Sequence, residues 1–90
     1  MAKLALKKEA IDMIKSGLEI EKNILKLSLV KYQKQLREFE KKHSLSSEEF
    51  FKKFKKGELG DNGEWFDWLF AFKVIKHVKQ KLSYIKEISL

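Results

Sequence analysis

In the amino-terminal half of the chain, large apolar side chains recur in steps of four and three. Leu25, Leu29, Tyr32, Leu36 and Phe39 follow that step, and Leu18, Ile14, Ile11 and Leu4 carry it backward, with Lys7 and Glu21 in the weaker slots. Side chains so spaced share one face of an α-helix, because about 3.6 residues complete a turn. A second line, Leu6, Ala10, Met13, Gly17, Ile20, Ile24 and Leu27, runs along another face of the same segment. Only Gly17 interrupts residues 2–42, and a helix tolerates glycine at about 1 kcal/mol relative to alanine. One long first helix, about 2–42, is predicted; a break near Gly17 or Lys22 is the compact alternative.

The next boundary is chemical rather than periodic. In Ser44-Leu45-Ser46-Ser47-Glu48-Glu49-Phe50, the Ser46 hydroxyl can accept from the free N–H groups of a new helix while Glu49 reaches back to the cap. Leu45 and Phe50 are placed to clamp as a hydrophobic staple. The second helix, about 46–56, ends at Gly57, which accepts the left-handed backbone that closes a helix. Three of the four glycines, Gly57, Gly60 and Gly63, fall in one short linker, and proline is absent from the chain. Asp61 with Glu64 offers a second cap-and-box pair for a third helix over about 64–88.

That third helix carries a seam of Ala71, Ile75, Val78, Leu82 and Ile85, with Trp68 and Phe72 beside its start. It is expected to fold back antiparallel along the first helix. Residues 1–90 therefore read as a single all-α domain: a long first helix, a short second helix and a long third one in a hairpin or bundle. At about 1.5 Å per residue, helix one spans roughly 60 Å and helix three roughly 38 Å, so about 20 Å of helix one should lack cover. A helix with two apolar lines needs two neighbours, and a homodimer pairing two first helices is one way to complete the bundle.

Eight of the eleven aromatic residues lie between Phe50 and Phe72. Helix two is expected to wedge its phenylalanines against the start of helix three. Trp65, Phe66, Trp68 and Phe70, however, point to several sides of that helix, so at least one side should meet a partner. Glu58, Asp61, Glu64 and Asp67 make the region locally acidic, which the helix dipole favours near a helix start and which also suits contact with a basic protein surface.

Composition narrows the function classes. The net charge of +7 invites a nucleic-acid reading, but nineteen of the twenty basic residues are lysine and only Arg37 offers the planar fork that reads base edges. Nucleic acid is a possible partner and is not the favoured one. The chain has no cysteine, hence no disulfide framework, no thiolate metal site and no thiol nucleophile, which suits a reducing cytoplasm. The start Met1-Ala2-Lys3-Leu4-Ala5-Leu6-Lys7-Lys8-Glu9 reaches charge too soon for a signal peptide, and no apolar run suffices to span a membrane.

Residue spacing offers few candidates for chemistry. Glu40-Lys41-Lys42-His43 has the Glu-x-x-His spacing of carboxylate-bridged metal bundles, yet only one copy occurs. His77 stands among Lys73, Lys76 and Lys79, as on a solvated face. Asp61-Asn62-Gly63 lacks the remaining ligands of a calcium loop. No nucleophile elbow, phosphate loop or acid–base pair is found. No catalytic residue, metal ligand or cofactor is assigned.

The stretch Ser46-Ser47-Glu48-Glu49-Phe50, then Phe54, Gly57-Glu58-Leu59-Gly60-Asp61 and Trp65-Phe66-Asp67-Trp68 resembles a group of small helical proteins described as antitoxins, or antitoxin-like partners, of prokaryotic type II toxin–antitoxin pairs. The motif-bearing part covers roughly residues 44 to 72. The resemblance implies a non-enzymatic protein that binds a companion toxin, masks its surface and joins dimers or larger complexes, without a cofactor. Ser46, Glu49, Gly57, Gly60, Asp61 and Glu64 then set the caps and turn. The surfaces expected to bind a partner, whether toxin-like or a second copy, are Leu6, Met13, Gly17, Ile20, Ile24, Leu27, Trp65, Phe66 and Phe70. No ribbon-helix-helix or helix-turn-helix segment for operator binding is recognisable.

Overall fold

The computed structural model describes residues 7–89 and contains three helices: α1, Lys8–His43; α2, Ser47–Lys55; and α3, Gly63–Glu87. The expected positions Leu4 and Leu6 lie outside the described residues. Helix α1 runs unbroken through Gly17 and Lys22, so the compact alternative with a folded first helix is not what forms. Helices α1 and α3 pack antiparallel. Lys42 and His43, at the end of α1, meet Glu64 at the start of α3, while Lys15 and Leu18 lie with Ile85 and Ile88 at the other end. The hairpin measures 56 × 29 × 18 Å. Its radius of gyration, 18.4 Å, exceeds the value of about 12 Å typical of a compact domain of this length.

The packed faces are those of the two predicted seams. Leu25 of α1 and Ala71, Ile75 and Val78 of α3 are buried, and Leu18, Leu29, Leu36 and Phe39 are half-buried along the α1 seam. Each fully buried aliphatic side chain contributes about 1.5–3 kcal/mol. Phe50 of α2 joins Trp68 and Phe72 of α3 at the closed end of the hairpin.

The turns follow from local capping. Ser44 closes α1 in the left-handed region (φ 50°, ψ 46°), and the Leu45 N–H donates back to the Glu40 carbonyl at 3.2 Å. Ser46 caps α2 as predicted, its hydroxyl accepting from the Glu49 N–H at 3.1 Å. The Glu40 side chain, reaching over from α1, accepts from the Ser47 N–H at 2.8 Å. Thus two free N–H groups of α2's first turn have partners from different elements.

Helix α2 ends at Gly57, where φ is +70° and the next N–H, of Glu58, donates to the Lys53 carbonyl at 3.0 Å. A Cβ at Gly57 would meet no atom within 4 Å, so any penalty for adding one is a backbone penalty. Gly57→Ala should therefore cost about 1 kcal/mol, the scale of the left-handed strain for an L-residue. It would be read as a lower urea midpoint at unchanged m-value.

The start of α3 corrects the predicted cap. The capping residue is Asn62, not Asp61: Asn62 has extended backbone (φ −136°, ψ 127°), and its side-chain oxygen accepts from the Glu64 N–H at 2.9 Å. The helix begins at Gly63, one residue earlier than expected, which places Glu64 at the second helical position. A box acid must stand at the third. The Glu64 carboxylate is thereby released from the cap and turns to α1.

Candidate interaction surfaces

Eight aromatic residues in a short stretch resolve into a buried plug and an exposed pair. Trp68 is fully buried. Its indole stacks on Phe50 of α2 (centroids 4.1 Å apart, 4° between planes) and on Phe39 and His43 of α1 (5.7 and 5.4 Å), so one ring joins all three helices. Its Nε1–H donates to the Ser47 hydroxyl at 2.8 Å, satisfying the one polar group an apolar site would penalise. Trp65, expected among the partner contacts, is instead half-buried: it packs on His43 (4.8 Å) and Phe50 (5.7 Å), and its Nε1–H donates to the Leu59 carbonyl at 3.2 Å. Phe51 rests on Phe72 at 5.3 Å.

Phe66 and Phe70 are different. They stand one turn apart on the outer face of α3, 67% and 57% exposed, with edge-on ring contacts, Phe66 against Phe54 and Phe70 against Tyr32. Each has a carboxylate for a neighbour. Asp61 lines the recess that holds Phe54 and Phe66, and Asp67 lines the one that holds Tyr32 and Phe70. Asp61, Asp67 and Glu58 are exposed.

Glu64, the fourth acid of the region, is engaged with Lys42 and with His43 Nε2, the latter at 3.2 Å. The hydrogen bond from Lys42 is the largest influence on its carboxyl, which is held below the usual glutamate range, with Lys42 and His43 charge adding to the effect and partial desolvation opposing it. A depressed carboxyl pKa adds stability above the unfolded value that is lost as pH falls through the folded value. Glu64→Gln should therefore lower stability at neutral pH and flatten its fall on the acid side, which urea melts from neutral pH down through the acid range will read. Of the Glu40-x-x-His43 pair, Glu40 accepts from the Ser47 N–H, and His43 lies between Trp65, Trp68 and Glu64.

The second apolar line of α1 is open. Met13, Ile20, Ile24 and Leu27 are between 52% and 75% exposed, and a Cβ at Gly17 would meet nothing within 4 Å. The reason differs from the expected overhang. Cover by α3 reaches down α1 to about Lys15, and Ile20, Ile24 and Leu27 lie alongside α3 but on a face turned away from it. The seam under α3 and the open line are separated by roughly a third of the helix circumference. Gln35, about two turns beyond Leu27 on the open face, shares a recess with Phe70. Helix α2 occupies the other flank, where Ser46 and Ser47 share a recess with Leu36 and Ile75.

At the open end of the hairpin, Leu18, Leu82, Ile85 and Ile88 floor a groove of about 620 Å³ edged by Lys15, Lys22, Lys26 and Lys86. Among the described residues, no helix is long and apolar enough to cross a membrane. Comparison with known proteins finds no matching family model, no matching curated protein and no matching solved structure.

Proposed function

We propose that this chain is a non-enzymatic protein-binding module of antitoxin type, which acts in the cytoplasm by holding and masking a companion toxin. The observation that carries this reading is the exposed apolar flank of the hairpin, formed by Met13, Ile20, Ile24 and Leu27 on α1 and by Phe66 and Phe70 on α3. A protein that works alone rarely exposes this many large apolar side chains on one flank, and such side chains mark a contact surface.

Chemistry at the two phenylalanines suggests the partner's character. Exposed aromatic anchors paired with Asp61 and Asp67 suit a basic protein surface, where the rings supply contact area and the carboxylates supply register. A toxin that handles RNA presents such a surface. The layout of a Ser-capped short helix, Gly-Glu-Leu-Gly-Asp turn and closing helix supports the same assignment through its likeness to antitoxins. Nucleic acid itself is a weaker reading, because Arg37 is the only arginine and base edges are read best by the planar guanidinium fork.

The test is copurification of the tagged chain expressed from its native operon, with growth as a second readout. The neighbouring gene product should be retained and its toxicity relieved. Phe66→Ala with Phe70→Ala should weaken capture about 100-fold, the loss expected from truncating two interface anchors, while leaving the helical circular dichroism unchanged. Recovery of no neighbouring product, or a neighbour whose toxicity is unaffected, would sink the proposal.

A further inference from the structure

We infer that the open line of α1 is covered by a second copy of this chain, the two α1 helices pairing antiparallel about the midpoint between Gly17 and Ile20. The inference rests on the reading of this flank as a contact surface and assigns the α1 part of it to self-association, leaving Phe66 and Phe70 for the companion.

Charge placement carries the inference. The chain bears a net +7, so two copies repel wherever lysines meet. Between residues 8 and 30, α1 has four lysines, Lys8, Lys15, Lys22 and Lys26, and at about 3.6 residues per turn all four fall on the side of the helix opposite the open line. Three of them edge the groove beside α3. The positions that border the open line are Ser16, Asn23, Ser28 and Ile14, with Glu9 and Glu21 the only charges. Between residues 8 and 30 a strongly basic protein thus presents a face bare of lysine, as self-pairing requires.

Side-chain sizes set the direction. In the antiparallel register Gly17 lies against the partner's Ile20, Met13 against the partner's Ile24 and Ala10 against the partner's Leu27, so each small position receives a large one. Glu21 then faces the partner's Ile14, and no like charges are opposed. A parallel pair would set Gly17 against its own copy, leaving a gap, and would bring Lys31, the next position on the same line, against Lys31 of the partner subunit. Antiparallel pairing also sends the two aromatic plugs to opposite ends.

The area is adequate. Complete cover of Met13, Ile14, Ile20, Ile24 and Leu27, at their exposures, would remove about 1,200 Å² from solvent over both copies, which reaches the lower edge of what stable interfaces bury.

Because the chain has no cysteine, the register can be read by cross-linking. Met13→Cys and Ile24→Cys both alter exposed side chains and should leave the fold intact. Mixed and briefly oxidised, the two variants should give a disulfide-linked pair; each alone should give little, and Lys22→Cys, on the opposite face, should give none. Light scattering on the unmodified chain should report twice the chain mass. A mass of one chain at every concentration overturns the inference, as does efficient cross-linking within either single variant, which signals a parallel pair. If the isolated chain is monomeric and the companion from the native operon blocks alkylation of the thiols introduced by M13C and I24C, the self-pairing falls while the protein-binding reading stands.

Discussion

Replacing Trp68 with alanine should remove about 3–5 kcal/mol of stability, the range for truncating a buried tryptophan. A chain of this length has a total stability on the order of 5–13 kcal/mol, so the variant stands near the edge of folding. Two losses combine. The cavity opens between all three helices, since the Trp68 indole lies on Phe50, Phe39 and His43. The Ser47 hydroxyl, 3% exposed as a residue, also loses its donor. Trp68→Phe separates these terms, because it retains most of the ring contact and forfeits only the hydrogen bond; it should cost about 1–3 kcal/mol. Urea unfolding followed by circular dichroism measures both. A Trp68→Ala loss below about 1 kcal/mol, far under the range for a buried aromatic, would mean that α2 is held by its caps and not by the plug.

The three helices and their order were legible because each has a period-3.6 seam or a side-chain cap that acts within a few residues. Ser46 and Gly57 belong to this class: their roles depend on neighbours in sequence, and the structure places them where the pattern does. The error at the start of α3 has the same local origin. Asp61 and Asn62 are both competent caps, and the choice between them shifts the box by one residue, which decides whether Glu64 serves its own helix or bonds to α1. Side-chain hydrogen bonds that cross from element to element left no trace in the pattern, and neither did the position of His43. The bonds from Glu40 to Ser47 and from Trp68 to Ser47, and the placing of His43 among the indoles, join residues whose proximity exists only after the hairpin closes.

For the open line of α1 the exposure has another cause than helix length. Helical spacing alone separates Met13, Ile20, Ile24 and Leu27 from the seam of Leu18, Leu25 and Leu29, and the structure keeps that separation. Length arithmetic then attributed the exposure to an uncovered overhang. A third helix of any length would leave this line open, because α3 lies against one face and α2 sits on the far flank. Exposure here is a property of direction, so extending α3 would not relieve it. A partner has to approach from the side.

Ile20→Asp isolates that approach from folding. Ile20 is exposed within a continuous stretch of α1, and surface substitutions of this kind usually change stability by no more than about 0.5 kcal/mol. In the paired state the same carboxylate must leave water beside the partner's Gly17, with Glu19 and Glu21 close by in sequence and no lysine on that face between residues 8 and 30 to receive it. Its desolvation should cost at least about 3 kcal/mol per site, more than about 100-fold in the dissociation constant. The position also sits beside the proposed two-fold axis, so a homodimer meets the penalty twice. Sedimentation across a concentration series should therefore show Ile20→Asp monomeric where the parent chain is dimeric, with a mixed dimer of parent and variant falling between them. Urea melts at high dilution should coincide for the two chains. An unchanged dissociation constant would move the interface off α1, and a penalty met only once would point to an unlike partner on the same face.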